Sequence, residues 1–381
     1  MKRCALLAFF VLRAVALPAD AGYAWRGLML DESRFFFGKA VVRETLDRMH
    51  EAGLNVFHWH LTDDQGWRLE IPGSPELTAI GAFRKSSPKV HTEDVSDGKP
   101  YGPFFYTEAD VNEILAYAKE RGIRVIPEIE LPGHIGALLT AHPEFSCAGS
   151  VSTNQICCFN IYEDVLCVGN DKAIRYLEHV FDEVCRMFPD EVVHIGGDEC
   201  PTARWESCQK CRARMEAEGI ENVRGLQTWV TRHFVAYLAS KGRRAIAWDE
   251  VLDGGGCPTN VIVQTWRSPK EGEKDSAALR AARLGHEVVL SPIDCAYFSV
   301  PAGPQDPGEY RRPVSHYGSY ITPEKVRAFR PDEGIPEALK GRILGAECCC
   351  WSEGTRTGPV LHQKTWPRAK IFAEVLRGPK P

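Results

Sequence analysis

Two adjacent carboxylates, Asp198 and Glu199, follow a pair of glycines and a short apolar run. Neighbouring side chains in an extended segment point to opposite sides, so both can face one site only if the chain turns there. Gly196 and Gly197 supply the freedom for that turn. Two carboxylates so close repel each other as anions, which favours one ionised group beside one that can donate a proton. The pair therefore suits general acid–base chemistry.

Glycoside hydrolysis is one reaction that needs such a pair. It requires a carboxylic acid beside the leaving oxygen and a negative charge beside an oxocarbenium-like transition state. Nine tryptophans add flat apolar faces on which sugar rings can stack. We expect Asp198 and Glu199 to carry this chemistry without a metal ion or an organic cofactor.

A metal-dependent hydrolase is the alternative interpretation of the same region. His58 and His60 are two residues apart, so both would face one side of a strand, and His134, His194 and Asp198 follow later strands. Such a set could bind a metal at a barrel mouth. An inactive sugar-binding barrel is a third interpretation.

Eight short apolar runs alternate with stretches of helical periodicity, which is typical of parallel βα units. Eight units predict an α/β fold of the closed (β/α)8 TIM barrel type rather than an open sheet. Helices are expected at 40–52, 107–121, 171–187, 225–241 and 276–284, among others. The strands are predicted at 25–30, 55–59, 125–129, 192–195, 245–248, 261–264, 288–290 and 343–349.

Ionisable and aromatic residues follow the last apolar residue of one predicted strand after another. The carboxyl ends of barrel strands meet at one face, where barrel enzymes have their active sites. We expect Glu128 and Glu130 in a polar layer beneath that site. The candidate site residues are Asp31, Asp63, Asp64, His134, Asp198, Glu199, Trp248, Trp266, Tyr297, Trp351 and Glu353.

The composition of the 381 residues is that of a globular protein, with 44% hydrophobic and 25% charged residues. The net charge is -5 and no basic block occurs, which argues against a nucleic-acid partner. No apolar run reaches the ~18 residues that a membrane helix needs. A small or neutral substrate is therefore expected.

Residues 1–22 resemble a signal peptide, with basic residues at the start, an apolar run and a small-residue cleavage site at 19–21. Arg13 interrupts the pattern, and a buried N-terminal segment is the alternative. The predicted organisation is a signal peptide at 1–22 and a catalytic barrel at 23–381. The protein is then secreted or periplasmic.

Fourteen cysteines are present, and all but Cys4 lie from Cys147 onward. Export would favour disulfides. Cys200, Cys208 and Cys211 form a C-x7-C-x2-C cluster that lacks a regularly spaced fourth ligand. A local disulfide, a structural zinc and plain buried thiols all remain open for this cluster.

Four motifs stand out in the sequence: WRGLMLD at 25–31, FHWHLTDDQGWR at 57–68, ELPGH at 130–134 and HIGGDE at 194–199. They resemble those of the β-N-acetylhexosaminidases of glycoside hydrolase family 20, in the family's order and spacing. We expect the small α/β domain that often precedes the barrel in this family to have no room here. The resemblance implies exo-hydrolysis of terminal β-linked GlcNAc or GalNAc from oligosaccharides or glycoconjugates, with retention of configuration.

The resemblance also implies the role of each central residue. The nucleophile is the substrate's own 2-acetamido oxygen, one of the exceptions to the two-carboxylate scheme. Glu199 acts as general acid and then general base. Asp198 orients the acetamido group and stabilises the oxazolinium intermediate, while Tyr297 hydrogen-bonds the acetamido oxygen.

Further contacts follow from the same resemblance. His134 is implied to pair with Asp63 or Asp64 near the general acid. Arg26 is implied to bind the 3- and 4-hydroxyls of the terminal sugar, since its planar fork of donors can pair with two oxygens. The remaining substrate contacts are Trp248, Trp266 and Trp351 around the acetamide and the ring, Glu353 on the outer hydroxyls, and Asp31.

Overall fold

Eight parallel strands close into a barrel in a computed structural model of the protein, which describes residues 22–88, 97–151, 159–269, 275–306 and 319–378. This architecture confirms the predicted (β/α)8 barrel. The strands are β1 (Trp25–Asp31), β2 (Val56–His60), β3 (Thr62–Asp63), β4 (Gly66–Trp67), β5 (Arg124–Glu128), β6 (Val192–His194), β7 (Arg244–Trp248), β8 (Ile262–Thr265), β9 (Glu287–Leu290) and β10 (Ile343–Cys350).

The barrel order follows the chain: β1-β2-β5-β6-β7-β8-β9-β10, with β10 paired back to β1. Only β3 and β4 stand apart, as a short antiparallel hairpin after β2. Each barrel strand begins and ends within one residue of its predicted position. The strands are mostly buried along their whole length, as expected for parallel strands covered by helices.

The helices surround the barrel, and the longer ones carry one buried face. α3 begins at a capping box, in which Thr107 and Asp110 bond each other's backbone N–H groups. The helices are α1 (Lys39–Ala52), α2 (Glu76–Ala79), α3 (Glu108–Glu120), α4 (Gly136–Ala141), α5 (Asp171–Met187), α6 (Ala203–Ser207), α7 (Gln209–Glu218), α8 (Gly225–Ser240), α9 (Ala277–Arg283), α10 (Pro323–Ala328), α11 (Glu337–Lys340) and α12 (Gly358–Arg377).

The barrel interior is layered. Inward side chains near the start of seven strands form an apolar layer of Trp25, Val56, Ile126, Val192, Ile246, Ile262 and Val289. Two residues further along five of these strands, the next inward layer contains polar or aromatic side chains, which are His58, Glu128, His194, Trp248 and Gln264. The second layer, called the polar floor below, therefore lies directly on the apolar layer.

Glu347 of β10 completes that polar floor. Its carboxylate accepts hydrogen bonds from Trp25 Nε1 at 3.0 Å and from Gln264 Nε2 at 2.9 Å. Gly27 of β1 leaves the room, because a Cβ there would lie 2.4 Å from Glu347 Oε2. A buried carboxylate is thus accommodated by a neighbouring strand that has no side chain at that point.

No disulfide joins the described cysteines, so of the three possibilities left open for Cys200, Cys208 and Cys211 the local disulfide is not formed. Cys200 is not part of the cluster that the structure shows. Cys208 and Cys211 instead meet Cys147 and Cys167.

The proposed signal peptide, residues 1–22, falls outside the described residues except for Gly22. Among the helices of the described ranges, none combines the length and the apolar character needed to cross a membrane.

Candidate active site

The carboxylate pair lies just beyond the carboxyl end of β6, where the chain turns as predicted. Gly196 and Gly197 have φ values of 64° and 106°, which favour glycine. A Cβ on Gly196 would lie 1.7 Å from Glu130 Oε2, so a side chain has no space there. Glu199 itself has a φ of 43°, an uncommon value for a residue with a side chain. The turn brings Asp198 and Glu199 to one site.

His134 connects the two carboxylates. Its Nε2 lies 3.4 Å from Glu199 Oε2 and 3.7 Å from Asp198 Oδ2. It follows β5 and also has a left-handed φ, of 50°. The two non-glycine residues with a positive φ in the described part of the chain therefore both belong to this group.

Asp64 is the nearer carboxylate partner of His134. Asp64 Oδ2 lies 2.9 Å from His134 Nδ1, whereas Asp63 Oδ1 lies 3.4 Å from it. The other oxygen of Asp64 accepts the Gly136 N–H at 2.9 Å, which fixes the carboxylate. Asp63 has a shorter contact with Arg34, whose Nη2 lies 2.7 Å from Asp63 Oδ2.

Arg34 is a site residue that the sequence analysis missed. Its guanidinium contacts Asp63, donates to Gln65 Oε1 at 3.0 Å and lies 5.1 Å from the centre of the Trp351 ring. It follows β1 at the carboxyl end of the barrel, and only 8% of its surface is exposed. The signal for it was its position three residues after Asp31.

Arg26 does not lie at this site, so the prediction that placed it there is wrong. It is the second residue of β1, at the opposite end of the strand from Asp31. Its side chain donates to the carbonyl oxygens of Gly53 at 2.8 Å and Tyr23 at 2.6 Å. These bonds anchor β1 to the loop before β2.

Asp31 supports the site from below. It is fully buried, and its Oδ2 accepts the Ser352 N–H at 3.0 Å and the Ser352 hydroxyl at 2.8 Å. It therefore fixes the start of the loop that carries half-buried Glu353 and does not itself face a substrate. Burial raises the pKa of the Glu353 carboxyl, and the nearby positive charge of Arg34 opposes that rise.

Four aromatic side chains form a continuous wall. The Trp266 and Tyr297 rings are nearly parallel, with centroids 6.2 Å apart. Trp351 lies 6.1 Å from Tyr297 and 6.0 Å from Trp248. Trp248 is 1% exposed and donates from Nε1 to Glu128, whereas Trp266 and Trp351 are half-buried. The predicted aromatic residues are thus together, with Trp248 at the bottom.

The two carboxylates of the pair have different environments. Burial raises the pKa of Asp198 to about 6, although the charge of His134 opposes the rise. Burial also raises the pKa of Glu199, but the close contact with His134 and the charges of His134 and Arg34 outweigh burial and lower it. The pKa values of the two carboxyls are therefore separated as predicted, but in the order opposite to the implied roles, because Asp198 is the weaker acid and Glu199 the stronger one.

The pKa of His134 is raised well above its usual value. Burial alone would lower it, but the charges of Asp63 and Asp198 outweigh burial. Burial raises the pKa of Tyr297, and the nearby charges of Asp198 and Glu199 raise it further. At neutral pH the site accordingly holds a protonated imidazole and a neutral phenol that can donate a hydrogen bond.

Asp198 Oδ1 is buried and has no hydrogen-bond partner among the described residues. A buried polar atom without a partner costs about 1 to 3 kcal/mol, so its persistence calls for an explanation. A ligand N–H would satisfy it.

His58 and His60 lie in the polar floor, fully buried beneath the pair. His58 Nδ1 lies 2.7 Å from Glu347 Oε1, and His60 contacts Glu128 and Asp63. His58 with Glu128 and His194, and His60 with Glu128 and Glu130, each lie close enough together to hold a metal ion. The exposures of His58 and His60, 1% and 0%, leave no position open to a substrate, however, as a catalytic metal needs.

Known proteins resemble the chain over nearly its whole length. Residues 23–378 match the model of the glycosyl hydrolase family 20 catalytic domain. A β-hexosaminidase of Porphyromonas gingivalis is 35% identical over 96% of this chain and 44% of its own length.

Solved structures give the same result. The β-N-acetylhexosaminidase of Bacteroides fragilis superimposes with a TM-score of 0.77 and 32% identity, over 93% of this chain and 66% of that one. The exo β-N-acetylglucosaminidase of Vibrio harveyi, in complex with N-acetylglucosamine, superimposes with a TM-score of 0.79 and 30% identity. The match covers 93% of this chain and 54% of that one. The chain thus spans between 44% and 66% of the length of these relatives. By sequence and by structure, it belongs to glycosyl hydrolase family 20.

Proposed function

We propose that this protein is a β-N-acetylhexosaminidase that releases terminal, non-reducing β-linked N-acetylhexosamines by substrate-assisted catalysis with retention. The observation that carries the proposal is the buried Asp198 Oδ1, which lacks a partner among the described residues, beside the neutral Tyr297 phenol. One acceptor and one donor match the N–H and C=O of an acetamide. Most other sugar substituents lack this pair.

The acetamide is held in position to react. Its N–H donates to Asp198, its oxygen accepts from Tyr297, and its methyl group contacts the aromatic wall. The acetamido oxygen attacks the anomeric carbon while the glycosidic C–O bond breaks and the leaving oxygen takes a proton from Glu199. The resulting oxazolinium carries a positive charge that ionised Asp198 stabilises.

The second half of the reaction restores the enzyme. The Glu199 carboxylate takes a proton from water, and that water attacks the anomeric carbon as the acetamido C–O bond breaks. Two inversions at one carbon give retention. Positioning of the nucleophile within the substrate can contribute roughly 7 to 11 kcal/mol to lowering the barrier.

His134 stores the proton that Glu199 later donates. In the free enzyme His134 is protonated and Glu199 is ionised, because their pKa values are shifted in opposite directions. The Glu199 side chain is 36% exposed, so a bound sugar would remove water from it and raise its pKa. The proton then moves from His134 Nε2 to Glu199 Oε2, which lie 3.4 Å apart.

Arg34 and Glu353 bind the outer hydroxyls of the terminal sugar in this proposal. Arg34 replaces Arg26 in the role that the family resemblance implied. Its position is fixed by Asp31, Asp63 and Gln65, so its remaining N–H groups point in defined directions. The relatives' names and the N-acetylglucosamine complex of the Vibrio harveyi protein support this substrate class.

Export remains part of the proposal. It is supported by the pattern at residues 1–22 and tested by N-terminal sequencing of protein recovered outside the cell. An unprocessed N-terminus on exported protein would contradict a cleaved signal peptide.

Comparison of aryl β-N-acetylglucosaminide with the matching aryl β-glucoside tests the activity. We expect kcat/KM for the glucoside to be lower by several orders of magnitude, because a 2-hydroxyl has no oxygen placed to attack. A thiazoline analogue of the intermediate should inhibit, and Asp198→Asn should weaken both turnover and thiazoline binding. Similar rates on both sugars, an inverted product, or a sugar bound covalently to the protein would each contradict the mechanism, and no turnover would favour the inactive barrel.

A further inference from the structure

Four cysteines from two different connections meet beside the active site. Their sulfur atoms all lie within 4.8 Å of one another. The Cys147–Cys211 and Cys167–Cys208 distances are 3.7 Å, and the Cys167–Cys211 distance is 3.8 Å. Cys167, Cys208 and Cys211 are buried, and Cys147 is half-buried.

The spacing of the sulfurs is that of a metal tetrahedron. Four thiolates around zinc at about 2.3 Å are separated from one another by about 3.8 Å. Disulfide bonding would give sulfurs about 2.05 Å apart in separate pairs. Here Cys167 and Cys211 each have two sulfur neighbours at nearly the same distance, so the four surround a common centre.

We propose that Cys147, Cys167, Cys208 and Cys211 bind a structural zinc ion. Thiolates are soft ligands that select zinc over magnesium or calcium. Four protein ligands leave no open position for water or substrate, which is typical of structural sites. The ion takes no part in hydrolysis, so the inference stands independently of the proposed activity.

The surrounding chain is built to bring the ligands together. Gly169 passes so close to α7 that a Cβ on it would lie 2.1 Å from the carbonyl oxygen of Lys210. Its backbone also hydrogen-bonds the sulfur of Cys211. Trp205 is buried nearby and donates from Nε1 to the Leu166 oxygen at 2.8 Å.

The zinc joins the two connections that carry His134, Asp198 and Glu199. Cys147 and Cys167 lie in the connection from β5 to β6, which also carries His134. Cys208 and Cys211 lie in the connection from β6 to β7, which also carries Asp198 and Glu199. Fixing one connection to the other maintains the distance between His134 and Glu199.

Metal analysis of the full-length protein, purified without chelators, tests the site. We expect about one zinc per chain in wild type, and loss of at least nine-tenths of it in Cys211→Ser. Cys185→Ser is the matched control, because Cys185 is a half-buried thiol outside the cluster. It should retain the zinc. Wild-type protein without zinc, with iron instead, or with equal zinc in Cys211→Ser would overturn the proposal.

Two measurements on wild-type protein cover the case in which Cys211→Ser does not fold. Cobalt exchanged into the site should give the sulfur-to-cobalt charge-transfer absorption of a tetrahedral tetrathiolate. Alkylation without reductant, followed by mass spectrometry, should label all four cysteines only after the metal is removed. Disulfides between Cys147 and Cys211 or between Cys167 and Cys208 would overturn the proposal, as would cobalt without charge-transfer bands.

Discussion

The position of one proton decides what Glu199 can do. As the proposed acid, Glu199 protonates the leaving oxygen, so its contribution to the rate depends on how much the leaving group needs a proton. Glu199→Gln should lower kcat/KM by about 10³-fold on a disaccharide, whose leaving alcohol needs a proton. The loss on an aryl substrate with an acidic leaving group should be far smaller. Steady-state kinetics on both substrates checks this, and equal losses would argue against Glu199 as the acid.

The ionised Asp198 carboxylate, which the proposed mechanism needs, should lower the stability of the native state. Its pKa is raised from 3.8 to about 6, so its stabilising contribution is complete below pH 3.8 and lost as the pH rises through about 6. Asp198→Asn does not titrate. Relative to wild type, the variant should therefore gain up to about 3 kcal/mol of unfolding free energy between about pH 4 and about pH 7.5.

Urea denaturation of both proteins at the two pH values measures this difference. The comparison within each pH removes the effect of every other group. A difference in unfolding free energy between variant and wild type that is the same at both pH values would show that Asp198 is ionised without cost in the free enzyme.

Arg34 and Arg26 form a natural pair for testing the sugar contacts. Arg34→Lys keeps the charge but loses the planar fork, and should lower kcat/KM by roughly 10- to 100-fold. Arg26→Lys should change it by less than about twofold, because its bonds lie at the other end of β1. A larger effect at Arg26 would restore the original prediction.

At the scale of elements, the turn after β6 positions the carboxylate pair. Gly196→Ala places a Cβ against the buried Glu130 carboxylate and should destabilise the protein by about 2 to 4 kcal/mol. Gly219→Ala is the matched control, since Gly219 has a similar φ of 63° and nothing within 4 Å of an added Cβ. It should cost about 1 kcal/mol, from backbone strain alone. Chemical denaturation checks both, and equal losses would mean that Glu130 moves aside.

Most elements could be predicted because their signals are local. Alternating apolar runs and caps such as Thr107 identified the strands and several helices within a residue or two. α12 was not among the helices named from the sequence, and Pro367 in its interior argues against a helix, whereas Pro359 in its first turn does not.

Contacts between distant segments were harder to predict. The choice between Asp63 and Asp64, and the meeting of Cys147 and Cys167 with Cys208 and Cys211, depend on how separate connections pack. Arg34 was different. Its place after β1 was visible in the sequence, and the rule that barrel sites lie at strand ends would have favoured it over Arg26.

At the scale of the whole molecule, the barrel buries charged side chains in its interior. Glu347 and Glu128 raise the pKa of His58 to about 9 although burial alone would lower it. Its stabilising contribution is therefore complete below pH 6.5 and lost as the pH rises through about 9. We expect the unfolding free energy of wild type to fall by up to about 3 kcal/mol over that range on account of His58.

Glu347→Gln tests this origin of alkaline sensitivity. It removes one of the two charges that hold the proton on His58, so the fall in stability between pH 6.5 and about 9 should be smaller in the variant. Thermal unfolding followed over that pH range provides the measurement. A variant that loses stability as steeply as wild type would assign the sensitivity to other groups.

The left-handed backbone of His134 and Glu199 has a consequence for any attempt to improve this protein. Each such conformation costs of order 1 to 3 kcal/mol, and it persists only because the surroundings impose it. Glycine and asparagine adopt it more easily. A library screened for heat resistance alone should therefore be enriched in these residues at position 199, and its best survivors would be well-folded barrels that no longer turn over substrate. Directed evolution of this scaffold has to select for hydrolysis in every round.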